Sequence, residues 1–152
     1  MAFLPVMQDK RLTKRLTDYW DRLRKDAVLP QWEKFNPGAF DDIWKQCCGW
    51  RVEPGGTNSH VYTYEYVGSA VKQALGSDPT GQMFTSHFKN FPGARIVQGI
   101  DEVVSKKAPH TDEGQFINED SKVVKYRSCL LPFGKKDGKV THIVLGLSWG
   151  LF

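Results

Sequence analysis

Side chains that could bind a metal ion are few and widely spaced in this sequence of 152 residues. The four histidines are His60, His87, His110 and His142, and no CxxC or HExxH motif occurs. Metal-binding motifs depend on close spacing because their ligands must face one ion from the same helix or turn. The pattern therefore predicts ordinary polar histidines and no metal site.

Cys47 and Cys48 form the most unusual dipeptide of the chain, and Cys129 is the third cysteine. A redox role would require an exposed thiolate of low pKa, which the nearby Lys45 and Arg51 would favour. Because nothing in the sequence indicates such exposure, we interpret the pair as two small buried hydrophobic side chains. An odd number of cysteines is also a poor disulfide framework, which favours a reducing compartment.

Known catalytic motifs are absent from the sequence, which has no nucleophile elbow, P-loop, dinucleotide fingerprint or paired carboxylates. We interpret Gly55-Gly56 and the glycines of 134–138 as turn glycines rather than phosphate-binding loops. The sequence therefore predicts a domain without catalysis of its own. A small enzyme or ligand carrier is the alternative, because a scaffold does not dictate function.

The bulk composition is that of one globular domain, which we place at residues 1–152. Hydrophobic residues make up 40% and charged residues 25% of the chain. There is no secretory signal and no apolar run long enough to span a bilayer, so we expect the cytoplasm. Residues 1–26 hold seven basic and four acidic residues, a net +3 out of the total of +4. Charge concentrated in one segment argues against nucleic-acid binding by the whole domain.

The clearest periodic segment is an amphipathic helix predicted over residues 9–26, with Asp9 as N-cap and Leu29-Pro30 as the stop. This helix either packs on its own domain or docks a protein partner or a second copy. Its basic face offers a further alternative, peripheral binding to anionic membranes or nucleic acid. The apolar residues that would form the docking surface are Leu12, Leu16, Tyr19, Trp20 and Leu23.

Five segments with alternating apolar residues are predicted as the strands of one sheet, which short turns make antiparallel. Short helices are predicted from Asn36-Pro37 and over 69–75, an irregular stretch over 82–88, and a longer connecting helix over 92–106. Helices grouped against one antiparallel sheet make an α+β fold. The predicted strands are 50–53, 60–67, 109–117, 122–133 and 139–149.

Strict alternation in the second strand places Tyr62, Tyr64 and Tyr66 on one face. These rings either pack in the core or line a ligand pocket or a protein-binding face. A pocket would lie between this strand, the irregular stretch, the connecting helix and the last two strands. Its predicted lining is Tyr64, Tyr66, Phe84, Phe88, Ile96, Ile100, Val103, Tyr126 and His142.

Three groups of short motifs follow one another along the chain. They are YWDRLR at 19–24 with the LP and NP pairs after it, YEYVGSA at 64–70 with ALG and DPTG after it, and LLPF at 130–133. In this order and at these separations, the motifs resemble a bacterial family of single-domain PAS-like proteins. Together with the order of strands and helices, the resemblance covers most of the chain.

The resemblance implies a PAS-like fold, with a core at 36–152 and the N-terminal helix flanking it. Such a core has a five-stranded antiparallel sheet, with short helices and one long connecting helix on one face. PAS domains typically bind a small ligand between sheet and helix and signal through flanking helices or a dimer contact. The resemblance thus implies a sensory or signalling module that binds a small apolar or aromatic ligand, a protein partner, or both, with a homodimer as one form of output.

The resemblance also bears on cofactors. Haem-binding PAS domains tend to carry a histidine on the connecting helix, and flavin-binding photoreceptors of this fold carry a cysteine in a short helix before it. Residues 92–106 contain no histidine and residues 77–91 contain no cysteine. Haem and flavin are therefore disfavoured, and no cofactor is predicted.

Overall fold

The structure, a computed structural model, describes residues 11–56, 59–85 and 94–151. Within these ranges the chain forms three α-helices, six strands and several single turns of 3-10 helix. The α-helices are α1 (Arg11–Arg24), α2 (Ser69–Leu75) and α3 (Ile100–Lys106). The strands are β1 (Cys47–Pro54), β2 (His60–Val67), β3 (Met83–Phe84), β4 (His110–Ile117), β5 (Val123–Gly134) and β6 (Val140–Leu151).

All six described strands belong to one antiparallel sheet in the order β3-β2-β1-β6-β5-β4. Strands β5 and β6, of 12 residues each, form its longest hairpin, and β1 pairs with β6 at the centre. The sequence predicted five of these strands. The sixth is the two-residue β3, which pairs with Tyr62 and Thr63 of β2. Strand β3 lies within residues 82–88, which the sequence predicted to be irregular.

Different helices cover the two faces of the sheet. Along β6, alternation places Ile143 and Leu145 on the face that we call the inner face, and Val144 and Gly146 on the outer face. Helix α3 and the 3-10 turn at Ala94–Val97 pack over the inner face. Helix α1 packs on the outer face, against β5 and β6.

Helix α1 occupies residues 11–24 of the predicted 9–26, and the predicted cap Asp9 lies outside the described residues. The helix ends five residues before the predicted Leu29-Pro30 stop, and Lys25 then takes a left-handed φ of 54°. Three single turns of 3-10 helix lead from α1 to β1. In the second of them, the Asn36 side chain accepts a hydrogen bond of 3.0 Å from the Gly38 amide and so caps the turn.

The prediction of one long helix over 92–106 is wrong. The described chain forms a 3-10 turn at Ala94–Val97, and α3 begins only at Ile100. Gly99, between them, has a φ of +89°, which lies in the left-handed region that glycine tolerates and a regular helix does not contain. The apolar pattern still predicted burial correctly, since Ile96 and Val103 are both in the core.

The prediction that three tyrosines share one face of β2 is also wrong. The register of β1 against β2 shifts, so that Gly49 lies opposite Tyr66 while Trp50 lies opposite Tyr64. Glu65 is therefore an extra residue, a β-bulge, and the alternation of side chains breaks there. Tyr64 points to the inner face, whereas Tyr66 stacks on Trp44 on the outer face with ring centroids 4.6 Å apart.

Candidate functional site

Four aromatic rings from three adjacent strands pack together on the inner face. Trp50 of β1 meets Tyr64 of β2 edge-on at 5.5 Å between centroids and Phe84 of β3 at 6.1 Å. Phe84 also contacts Tyr62 at 5.2 Å and Tyr64 at 5.6 Å. Edge-to-face and tilted pairs at these distances are attractive, so the rings form one buried cluster, which we call the inner aromatic cluster.

The indole nitrogen of Trp50 has no hydrogen-bond partner among the described residues, although the side chain is 0% exposed. The Tyr64 hydroxyl interacts with this N–H as an acceptor, which slightly lowers the pKa of that phenol, but the contact does not meet the geometry of a hydrogen bond. Burial is the larger influence on that phenol and raises the pKa of Tyr64. A buried donor without an acceptor costs about 1–3 kcal/mol, so the Trp50 N–H is an unusual feature.

A hydrogen bond ties α3 to the inner aromatic cluster. The Tyr62 hydroxyl donates to the carboxylate of Asp101 in the first turn of α3. Burial, and then the Asp101 carboxylate, raise the pKa of Tyr62, so this phenol remains a donor at neutral pH. The contact fixes the start of α3 over the strands that carry the cluster.

A second polar group lies at the β4 side of the inner face. The Arg95 guanidinium contacts the Asp112 carboxylate at 2.9 Å, and the Tyr126 hydroxyl lies 3.2 Å from the same carboxylate. Gly114 leaves room for this arrangement, because a Cβ there would lie 2.8 Å from Arg95 Nη2. Arg95 also lies over the Tyr126 ring at 6.0 Å, so charge, hydrogen bonding and cation–π attraction hold the 3-10 turn against β4 and β5.

The structure distributes the predicted pocket residues over both faces of the sheet. Tyr66 and His142 lie on the outer face, away from the others, and Phe88 lies outside the described residues. Trp50, which the prediction omitted, lies at the centre of the cluster. Its position in a predicted strand could have indicated that its ring faces the core. The predicted residues that belong to the inner face and the core beneath α3 are Tyr64, Phe84, Ile96, Ile100, Val103 and Tyr126.

The outer face carries an aromatic group that sequence reasoning did not predict. His142 of β6 stacks on Trp32 with ring centroids 4.1 Å apart, and its Nε2 lies 3.2 Å from a Glu65 oxygen. Burial lowers the pKa of His142, while the Glu65 carboxylate opposes this shift. Glu65 also pairs with Arg51 at 2.7 Å, so the bulged residue anchors a small ionic network. The available signal was the density of aromatic residues between positions 32 and 44.

A sequence model of the PAS domain family matches residues 8–148. The chain belongs to the PAS domain family. No curated protein matches the sequence significantly.

Three solved structures that are similar to this PAS domain are distant from it in sequence. A PAS domain of an HTR-like protein from Haloarcula marismortui is 15% identical with a TM-score of 0.42, over 95% of this chain and 98% of that one. A sensory box histidine kinase/response regulator from Burkholderia thailandensis is 12% identical with a TM-score of 0.45, over 75% and 84% of the two chains. A light-oxygen-voltage domain studied with a flavin analogue is 9% identical with a TM-score of 0.46, over 69% and 78%.

The apolar face of α1 packs on the PAS domain's own sheet. Leu12, Leu16 and Trp20 are buried, and the Trp20 indole N–H donates to the Pro132 carbonyl at 2.6 Å. The other two predicted docking residues are partly buried against the core. One of them, Tyr19, meets Phe40 edge-on at 4.6 Å. The predicted docking surface is therefore occupied by the sheet, which agrees with the alternative that the helix packs on its own domain.

Acidic partners engage several basic side chains on the exposed side of α1. These contacts are solvent-exposed and add little to stability. They do reduce the positive charge available to an anionic surface. The pairs are Lys14 with Asp18 at 2.9 Å, Arg15 with Asp42 at 2.6 Å and Arg24 with Asp21 at 2.7 Å. None of the described helices is long and apolar enough to cross a bilayer.

The three cysteines are buried and unpaired. Burial raises the pKa of the Cys47 and Cys48 thiols, and it raises that of Cys129 to about 12. Buried thiols of high pKa are poor nucleophiles, which supports the interpretation of the dipeptide as two small hydrophobic residues. Across the described ranges, no three His, Cys, Asp or Glu side chains group closely enough to hold a metal ion.

Proposed function

We propose that this PAS domain is a signalling module that binds a small apolar or aromatic ligand with one hydrogen-bond acceptor, in the inner aromatic cluster beside Trp50. The domain acts without catalysis of its own and passes the signal to a protein partner. Its three unpaired thiols suit a reducing compartment such as the cytoplasm. A sensory role is the typical role of the family to which the chain belongs.

The observation that carries the proposal is the unpartnered N–H of Trp50. The surrounding rings offer apolar and aromatic contact area, and the neighbouring Tyr64 hydroxyl does not meet hydrogen-bond geometry with this donor. A ligand that supplies an acceptor would remove the cost of the buried donor, about 1–3 kcal/mol. The site therefore favours a flat apolar molecule with a carbonyl, ether or ring nitrogen over a fully hydrocarbon one.

Ligand entry requires one ring of the cluster to move, and we assign this movement to Phe84. It belongs to β3, which has two residues and pairs with β2 alone among the described strands. Trp50, in contrast, lies on β1, which is paired on both sides. Displacement of Phe84 would open the cluster next to Trp50 without breaking the centre of the sheet.

The test is a titration followed through the indole N–H resonances, of which the five tryptophans give one each. The probes are small aromatic compounds with one acceptor, such as quinoline, together with any molecule released from the purified protein and identified by mass spectrometry. Trp50→Phe assigns the key resonance and removes the donor while keeping an aromatic ring. Trp32→Phe, on the outer face, is the matched control.

Binding in the cluster would shift the Trp50 resonance downfield, as a new hydrogen bond does, and leave that of Trp32 in place. Affinity should fall about 5–30-fold in Trp50→Phe, the ratio that corresponds to the loss of one hydrogen bond of about 1–2 kcal/mol. Trp32→Phe should bind as the wild type does. Ligands that bind equally well to both variants, or no binding by any acceptor-bearing probe, would refute the proposed site.

A further inference from the structure

Strand β4 forms one end of the sheet and pairs with β5 along all eight of its residues. No described strand pairs with its other side. Natural edge strands are usually protected by charged side chains, Lys above all, or by Pro, a bulge or a short length. The β4 sequence HTDEGQFI has neither Lys nor Pro, and its register with β5 contains no shift. Its two acidic residues are each held in an ion pair within the chain, Asp112 with Arg95 at 2.9 Å and Glu113 with Arg127 at 3.0 Å. Its last residue, Ile117, exposes 66% of its surface.

The backbone groups that β4 presents outward can be assigned from the hairpin. The Asn118 amide donates to the Lys122 carbonyl at 2.9 Å, so these opposed residues form a hydrogen-bonded pair. Hydrogen-bonded and non-hydrogen-bonded pairs alternate in an antiparallel ladder, so the outward residues of β4 have odd numbers. Arg95 Nη2 supports this assignment, since it approaches the Glu113 carbonyl from outside at 3.5 Å. The outward residues are Thr111, Glu113, Gln115 and Ile117.

We propose that β4 pairs antiparallel with the β4 of a second copy of this chain, with Gly114 on the two-fold axis, and so joins the two sheets. This interface is distinct from the ligand site of the inner aromatic cluster. In the proposed register, Glu113 lies opposite Gln115 of the second copy, and Thr111 lies opposite Ile117. The pairing covers the exposed Ile117 side chain and gives partners to the outward amides of both strands. The Glu113 carbonyl, which Arg95 Nη2 already approaches, has two lone pairs and accepts a second hydrogen bond from the Gln115 amide of the second copy.

Charge selects this register among those in which outward residues face each other. Moving the axis to Glu113 would place two Glu113–Arg127 ion pairs directly opposite each other, with their like charges adjacent, which destabilises a strand pair. Moving it to Gln115 would leave only residues 113–117 paired. The register centred on Gly114 has neither opposed like charges nor a shortened pairing. It therefore meets the requirement of a two-fold interface, in which each surface must be complementary to itself.

The inner side of the axis is also compatible with a second copy. Gly114 has no side chain, and the space beside it is filled by the Arg95 guanidinium of the same chain. That guanidinium is paired with Asp112 at 2.9 Å. Each copy therefore brings its own neutralised ion pair to the axis rather than a bare positive charge. Asp112 lies opposite Phe116 of the second copy, so no like charges face each other there.

The assembly test measures mass by sedimentation over a range of protein concentrations. Gln115→Pro removes an amide that points away from β5, so the fold is kept, as proline at an edge position allows. Gln115→Ala is the matched control, because it keeps the amide and removes the side chain. We expect a dimer for the wild type and for Gln115→Ala, and a monomer with unchanged circular dichroism for Gln115→Pro. A monomeric wild type, or a Gln115→Pro variant that still dimerises, would overturn the proposal.

The register test uses disulfide trapping. Directly opposed residues have Cα atoms about 5.5 Å apart in a hydrogen-bonded pair, a distance that suits a disulfide. Mixed Glu113→Cys and Gln115→Cys chains should form a crosslinked heterodimer under mild oxidation, and the buried native thiols should not compete. Neither variant alone should crosslink efficiently. Efficient crosslinking of Glu113→Cys with itself would overturn the Gly114 axis, and the absence of a mixed crosslink would overturn the interface.

Discussion

Gly146 lets α1 approach the outer face of the sheet. A Cβ on this residue would lie 2.3 Å from Leu16 Cδ1 and 3.2 Å from Cys129 Sγ, whereas nonbonded carbon atoms prefer separations of about 3.5–4.0 Å. Leu16 and Cys129 are both fully buried, so neither can turn into solvent. Overpacking of this kind costs about 1–3 kcal/mol. We therefore expect Gly146→Ala to have a free energy of unfolding lower by that amount than a Gly→Ala variant at a position where the added methyl group meets no clash.

Gly49 of β1 is the matched control, because a Cβ there meets nothing within 4 Å. We expect Gly49→Ala to leave stability unchanged or to raise it by about 0.5–1 kcal/mol through the entropy of the unfolded chain. The assay is urea unfolding followed by tryptophan fluorescence and circular dichroism. Leu16→Ala alone should cost about 2–5 kcal/mol, and the double variant should lose less than the sum because the clash is gone. Equal stabilities for the two glycine variants would refute the close approach of α1.

Two further predictions concern groups whose pKa is shifted by burial. Cys47, Cys48 and Cys129 should react with a thiol reagent only as fast as the protein opens, and rapid labelling of native protein would contradict their burial. The native state should also lose stability as the pH falls through about 6.5, the unfolded pKa of histidine, because burial lowers the folded pKa of His142 and the unfolded chain then binds more protons. In His142→Gln, the free energy of unfolding, measured with urea, should change less with pH between about pH 7 and 5.5. If it changes with pH as steeply as in the wild type, His142 is not the group responsible.

The strands of the β5–β6 hairpin were predictable because local and tertiary preferences agree there. The sequence predicted strands at 122–133 and 139–149, and the structure has β5 at Val123–Gly134 and β6 at Val140–Leu151. Apolar alternation, β-branched residues and a Lys/Asp/Gly turn all indicate the same structure. The α+β order that follows from such segments, together with the short sequence motifs, supports the resemblance to PAS domains.

The breaks in regular structure were harder to predict because the sequence around each of them keeps the periodicity of an unbroken element. Gly99 interrupts an apolar pattern that otherwise has helical spacing, and only its φ of +89° divides the segment into two elements. Glu65 forms a bulge in a strand whose sequence predicts regular alternation of side chains between the two faces. A bulge is set by the pairing of two strands rather than by the sequence of one, so it moved Tyr66 to the outer face without any local signal.

The candidate site was partly predictable for a related reason. Tyr64 and Phe84 were assigned to a pocket from strand and loop position, and both lie in the inner aromatic cluster. His142 was assigned to the same pocket, but it stacks on Trp32, which is remote from it in sequence. Periodicity shows which residues share a face of one element. It does not show which elements cover that face, and this knowledge comes only from the tertiary structure.

The ligand site and the β4 edge are separated by two intervening strands, and this separation makes the two proposals independently testable. Trp50 lies on β1, and β6 and β5 come between β1 and β4 in the sheet. At about 4.8 Å per strand, the two sites are about 14 Å apart. If a ligand beside Trp50 changes the dimer dissociation constant, dimerisation must change ligand affinity by the same factor. An unchanged dissociation constant would mean that the ligand signals through another surface, and either proposal would stand or fall on its own test.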